Sequence, residues 1–277
     1  MAIFEKLRIS LAPRDVGPLD ELLGDVRPRM ERKEFLRMAF SEPLTFNHLR
    51  TGRPIDFVPI EVEGEYAGGI FRRSAPVHLQ DQSLEPYEAE NFEGSVFIMS
   101  LSKDQTAWMQ SNKRLGATRG ILESFFDHVF KKIIYSEWSV YVRHFEIESD
   151  YFEVIKTRRA EIAKITFTFV PPNALGADDA VYSFIKAFAV ESSPEIQQHI
   201  YKAEPGRMNP DSAHMNASAV IAMEGGGEVD VRDGKNRVLY NPQKAKVTMS
   251  VPDEDLPTPS PSHAPFLRRV RDWLFDL

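Results

Sequence analysis

Apolar positions in this chain recur at two distinct periods, and they divide it into strands and helices. Met30–Phe40 (MERKEFLRMAF) reads as a helix that ends near Pro43. Pro54–Val62 and Glu65–Arg72 read as two strands joined at Gly64, with Val58, Ile60 and Val62 on one face at period two. Gln80–Glu93 is polar and acidic with little periodicity, which predicts a connection. Ser95–Leu101 and Thr106–Gln110 read as a hairpin over Ser102–Lys103–Asp104–Gln105. The strongest helix follows. Ile121, Leu122, Phe125, Phe126, Val129, Phe130, Ile133 and Ile134 recur as pairs every four residues, which makes one broad apolar face. Thr118 stands where an N-cap hydroxyl is useful.

Ser139–Ile147 and Ala160–Val170 read as strands. In the second, Ala163, Ile165, Phe167 and Phe169 face one way, and Lys164, Thr166 and Thr168 face the other. Pro171–Pro172 ends it, because proline cannot donate to a ladder. Asp178 or Asp179 then caps a helix burying Val181, Phe184, Ile185 and Phe188. Further on, Ala217–Met223, Glu228–Arg232, Arg237–Tyr240 and Lys246–Val251 read as the short strands of a β-meander, with glycine turns at 225–227 and Asp233–Gly234. These elements predict an α+β fold: a mixed, mostly antiparallel sheet with helices on one face, a C-terminal meander and a mobile tail helix. The expected organisation is one domain over residues 1–250, with a candidate subdivision near 170–215. Residues 251–264 are a proline-rich acidic linker expected to be disordered, and 265–277 an amphipathic tail helix.

Composition narrows the chemistry. Hydrophobic residues make up 42% and charged residues 27% of 277. A chain of this size buries enough surface to fold without staples. Cysteine is absent, which excludes disulfides, thiolate metal sites and a cysteine nucleophile. The opening MAIFEKLRIS lacks the apolar core of a secretion signal, and no run reaches the ~18 apolar residues of a membrane span. A cytoplasmic protein away from the membrane is expected. The net charge of −7 and pI of about 5.6 require any nucleic-acid interface to be a local basic patch.

No motif commits the chain to catalysis, so the catalytic residues are left unassigned and no cofactor or metal is expected. The glycines at 225–227 precede a strand, whereas a phosphate loop needs a helix there; they read as a turn. Asp150, Glu153 and Lys156, and likewise Glu161 and Lys164, bring together the residue types of a metal-dependent nuclease. They lack the one-residue acid-to-lysine spacing on a strand, and a solvated charged surface is the plainer account. No two of the seven histidines have the i, i+4 spacing of a helical zinc site, and no serine sits in a G-x-S-x-G elbow.

Two segments are locally basic, each at net +3: 27–37 and 103–132. In the second, Trp108, Lys113, Arg114, Arg119, Lys131 and Lys132 are candidates for nucleic acid, the cations for phosphates and the indole for a base. The tail stripe of Phe266, Val270, Trp273, Leu274 and Leu277 is a candidate surface for a protein partner or a homo-oligomer.

The runs WMQSNKRLGATRGILESFFDHVF (Trp108–Phe130), EIAKITFTFVPPNALG (Glu161–Gly176) and AMEGGGEVDVRDGKNRVLY (Ala222–Tyr240) resemble a family of uncharacterised bacterial proteins. More distantly they are similar to the phage-exclusion protein RexA of temperate phage. The resemblance covers roughly residues 60–250 and rests on packing and turn features. It implies a defence- or mobile-element-associated dimer that senses or binds nucleic acid. Three functions follow as expectations: a non-enzymatic interaction protein, a metal-dependent nuclease, or a structural subunit of a larger assembly.

Overall fold

The computed structural model describes residues 1–13, 30–60, 62, 64–80, 82–102, 105–132, 138–145, 148–170, 196–224, 227–241, 246–252 and 264–275. The chain forms two compact units, and β1 (Ala2–Pro13) passes from one into the other between Lys6 and Leu7. The first unit holds Met1–Lys6, Met30–Tyr135 and Thr248–Leu277; the second holds Leu7–Arg29 and Ser136–Val247. Most of the candidate subdivision near 170–215 lies outside the described residues.

In the first unit the strand order is β14 (Thr248–Val251), β1, β8 (Thr106–Gln110), β7 (Phe92–Ser100), β4 (Tyr66–Ser74), β3 (Pro54–Ile60), β2 (Leu44–Asn47). Two helices, α1 (Arg32–Ala39) and α2 (Thr118–Lys132), cover one face. Their junction is aromatic. Phe125 of α2 stacks on Phe40 at 4.9 Å and meets Phe57 and Phe71 of the sheet at 5.3 and 5.6 Å. Successive residues of a strand face opposite ways, and β4 uses this to seat helices on both sides. Phe57 fills the place of a side chain at Gly69. Next door, Val62 and Leu267 of α5 (Ala264–Leu274) fill the place at Gly68.

His48 fastens the turn between β2 and β3 to the start of α2. Its Nδ1 accepts from the Arg50 amide at 3.2 Å, and Gly116 and Gly120 leave room for its Nε2 edge. Beside it, the Leu49 amide donates to Ser124 Oγ at 3.0 Å. Burial, and then the charge of Arg50, hold the His48 pKa below its ordinary value. The folded state thus binds this proton more weakly than the unfolded chain. The resulting stability is present above the ordinary histidine range and is lost as pH falls through the lowered folded pKa. Thermal melts between pH 7.5 and pH 5 should show a smaller acid-induced drop in His48→Asn than in the natural chain. Equal drops would remove His48 from the acid response.

In the second unit, the Leu7–Pro13 half of β1 pairs with β9 (Trp138–His144). A four-stranded antiparallel sheet runs β11 (Gln197–Lys202), β10 (Ile162–Phe169), β12 (Glu228–Asp233), β13 (Val238–Tyr240). Helices α3 (Glu148–Thr157) and α4 (Ala213–Glu224) cover one face of it, around Tyr151, Phe167, Ala219, Val229 and Val231.

The predicted α+β fold is present, with three local corrections. Ala217–Met223 is helix, not strand. Apart from Ser218 the run is apolar, and buried Met215, Ala219, Ala222 and Met223 reveal the helical period. The meander reduces to the β12–β13 hairpin, because β14 leaves to pair with β1 in the first unit. The connection at 80–93 contains a strand, Pro86–Ala89 (β6), paired with Val77–Gln80 (β5). The helix expected after Asp178 and most of the linker lie outside the described residues.

Candidate nucleic-acid interface

The structure disperses the basic candidates of 103–132. Trp108 lies on β8 and is only 3% exposed, so its ring cannot stack a base. The Lys6 ammonium sits over that ring at 5.7 Å. Arg114 is bound to Glu93 at 2.7 Å, and its hydrogen bond holds the Glu93 carboxyl below the ordinary range. On α2, Arg119 pairs with Glu123 at 2.7 Å and Lys131 with Asp127 at 2.6 Å, each one helical turn along. Lys113 is exposed and has no ion pair among the described residues. The Lys132 side chain lies outside the described residues. The first basic segment is likewise partly neutralised, with Lys33 on Glu65. Sequence proximity brought these cations together; folding paired off Lys33, Arg114, Arg119 and Lys131.

The tail residues divide in a similar way. Val270 and Leu274 are buried, so they are used within the first unit and not offered to a partner. Tyr66 meets Phe275 at 5.1 Å and the Arg271 guanidinium at 5.5 Å. Trp273 remains 52% exposed. The side chain of Phe266, and Leu277, lie outside the described residues.

Cations do converge on the second unit's sheet, from strands far apart in sequence. Alternation along β10 turns Ile165 and Phe167 to the helices and leaves Lys164, Thr166 and Thr168 on the other face. Register then sets the rows. Lys164 lies between Lys202 of β11 and Arg232 of β12; Thr166 lies between Ile200 and Asp230; Thr168 lies between Gln198 and Glu228. Three cations thus stand side by side across three strands, an arrangement that repels in the absence of a counter-anion. Asp230 answers Arg232 with two bonds, at 2.6 and 3.3 Å. Lys164 and Lys202 have no ion pair among the described residues. Between the rows, Thr166 Oγ1 is buried with no hydrogen-bond partner among the described residues, and Ile200 is 50% exposed. Arg143 of β9 reaches Glu228 at 3.2 Å, which anchors the far row.

The rim beyond the cation row is also rich in arginine. Arg158 grips Glu161 at 3.0 and 2.7 Å. Arg159 reaches Asp211 at 3.0 Å and Asn209 at 2.7 Å. Asp233 organises the β12–β13 turn by accepting from the amides of Lys235 and Arg237 at 2.9 and 2.8 Å and from the Arg237 guanidinium at 2.6 Å. Burial raises its pKa, and the bonds from Arg237 and Lys235 more than offset that, leaving it below the ordinary value. Pro205 packs against Gly234, which brings the Glu204–Arg207 turn to the same rim.

The acidic residues considered for metal chemistry do not gather. Glu153 and Lys156 lie on the exposed side of α3, and Glu161 is held by Arg158. Among the described residues, no three histidine or acidic side chains are placed to hold a metal. A smaller polar group lies on the helix-covered side: Tyr201 Oη and His214 Nε2 are 3.0 Å apart, and Gln197 Nε2 and His199 Nε2 are 2.7 Å apart. Burial, and then His214, lower the His199 pKa.

The fold and this surface define an α+β protein whose second unit presents a polar, cation-bearing face of an antiparallel sheet. No family model, curated protein or solved structure matches the chain. No helix among the described residues is long and apolar enough to cross a membrane.

Proposed function

We propose that the protein is a non-enzymatic nucleic-acid-binding protein of antiviral defence, acting in the bacterial cytoplasm through the polar sheet face of its second unit. The defence setting rests on the resemblance of residues 60–250 described above. The observation that carries the binding reading is the Lys202–Lys164–Arg232 row. Adjacent strands are about 4.8 Å apart, so the row holds three cations within about 10 Å. Arg232 is already answered by Asp230; a phosphate backbone laid across the row supplies the counter-charge that Lys164 and Lys202 lack and releases its own counterions. The exposed Ile200 side chain supplies an apolar contact beside the row.

Fluorescence anisotropy with short single-stranded and duplex oligonucleotides tests this reading. Lys164→Glu with Lys202→Glu should weaken binding at least about tenfold. It should also reduce the slope of log affinity against log salt by about 2, one per lost phosphate contact. Lys113→Glu with Arg114→Glu, at the site expected from sequence, should change affinity far less. Unchanged affinity in the first pair, with an unchanged circular dichroism spectrum, would overturn the reading.

A further inference from the structure

β11 is the last strand on one side of the second unit's sheet, and among the described residues no strand lies beyond it. Register shows which main-chain groups line that edge. The Ala203 amide donates to the Ala163 carbonyl at 3.0 Å, continuing the Lys164–Lys202 register as a hydrogen-bonded pair. Such pairs recur at every second residue of an antiparallel ladder. Ile165–Tyr201, Phe167–His199 and Phe169–Gln197 therefore carry the bonds between β10 and β11. The N–H and C=O groups of Gln198, Ile200 and Lys202 point the other way, along the open edge, with no partner among the described residues.

Edge strands are ordinarily blunted by shortness, proline, a bulge or charge. The opposite edge, β13, is three residues long and shifts register against β12. β11 is six residues long, with no proline and no register shift, and its one lysine stands at the end. At the middle of its outward residues Ile200 is 50% exposed.

An extended strand completes such an edge, and a second β11 fits it in one register. Antiparallel pairing about a two-fold axis must match outward groups with outward groups. Centring the axis on Ile200 sets Ile200 against Ile200 of the second copy, and Gln198 of each copy against Lys202 of the other. Every outward residue is then paired, apolar with apolar and cation with amide. Any other centre carries an outward residue of each strand past the end of its partner, and centring on Lys202 also opposes two lysines, which destabilises a strand pair. In the Ile200-centred register the two Lys202 positions are about 14 Å apart, beyond the screening length of about 8 Å at physiological ionic strength.

We propose that two copies of the chain pair β11 with β11, antiparallel and centred on Ile200, so that the four-stranded sheet runs on from one copy into the other. The axis is perpendicular to the sheet, so both copies turn their helices to one side and Lys164 and Lys202 to the other. The pairing stands on the open edge and does not depend on nucleic-acid binding.

The chain has no cysteine, so single introduced thiols report the register directly. Facing residues of a hydrogen-bonded pair have Cα atoms about 5.5 Å apart, within disulfide reach. Mild oxidation of Ile200→Cys should give a dimer on non-reducing electrophoresis that a reductant removes. Gln198→Cys and Lys202→Cys, whose own copies are about 14 Å away, should stay single chains. Sedimentation velocity of the natural chain should show the mass rising with concentration from 31.6 kDa to twice that value. Ile200→Lys and Ile200→Glu should each sediment as monomers, because each sets like charges face to face. An equimolar mixture of the two should reassociate, which misfolding cannot imitate. Monomers of the natural chain at every concentration would overturn the proposal, as would dimers that survive Ile200→Lys. Cross-linking at Gln198→Cys or Lys202→Cys as strong as at Ile200→Cys would overturn the register.

Discussion

Replacing Phe125 by alanine should destabilise the first unit by about 3–5 kcal/mol, the range for deleting a buried phenyl ring. The ring is fully buried at the centre of an aromatic cluster. It stacks on Phe40 at 4.9 Å and meets Phe57, Phe71, Phe46 and Phe126 edge-on at 5.3–5.7 Å. These neighbours come from β2, β3, β4, α2 and the end of α1, so no one of them can move in to fill the space. Offset and edge contacts add to the area term, and each of them is lost at once. Urea unfolding monitored by near-ultraviolet circular dichroism measures the effect. Phe92→Ala is the comparison, since Phe92 is largely exposed beneath the Arg72 guanidinium at 4.8 Å. It should cost no more than about 0.5 kcal/mol. A Phe125→Ala loss below about 1 kcal/mol would mean that the cluster relaxes around the cavity.

Gly227→Ala should cost the second unit about 3 kcal/mol or more, at or beyond the upper end of ordinary overpacking. A Cβ there would stand 1.8 Å from the Thr168 carbonyl oxygen and 2.8 Å from its carbon. Both obstructing atoms are backbone, so no side-chain rotation relieves them. The Gly227 amide also donates to Ala222 at 2.8 Å, which closes the end of α4 just before β12 begins. Relief therefore requires β12 to move away from β10, at the point where Glu228 pairs with Thr168. That movement would also carry Arg232 out of register with Lys164 and Asp230 out of register with Thr166, and on the function proposed above oligonucleotide binding should fall along with stability. Gly94→Ala is the control. Its new methyl would meet Ile70 at 3.5 Å, an ordinary contact, and stability should change by less than about 1 kcal/mol. A Gly227→Ala chain as stable as Gly94→Ala would show that β12 is not held so closely against β10.

The glycines at 225–227 show how far local reading reaches. Their composition predicts a turn; Gly225 and Gly226 lie outside the described residues, and that a helix precedes them and a strand follows depended on whether Ala217–Met223 coils. A run of alanine, valine, isoleucine and methionine interrupted only by Ser218 shows neither period, so only its packing on Val229 and Phe167 settles the matter. The α2 helix needed no such arbitration. Its paired apolar rows over Ile121–Val129 match the buried face of the folded helix. The acidic 80–93 segment was misread for a different reason. Its strand alternates as Val77, Leu79, Tyr87 and Ala89 do, but each arm is only four residues long.

Periodicity and composition by themselves determined the α+β class, the β7–β8 hairpin, the α2 helix and the absence of cysteine chemistry, because each is set by neighbours within a few residues. Only the tertiary structure decided which charges act together. Within 103–132, Arg114, Arg119 and Lys131 found acids close by, at Glu93 or one helical turn away on α2, and were neutralised. Lys164, Lys202 and Arg232 lie on three strands separated by dozens of residues, and strand register alone placed them side by side. A sheet ladder joins positions that have no relation in sequence, so a row of charges built across strands remains invisible until the strands are paired.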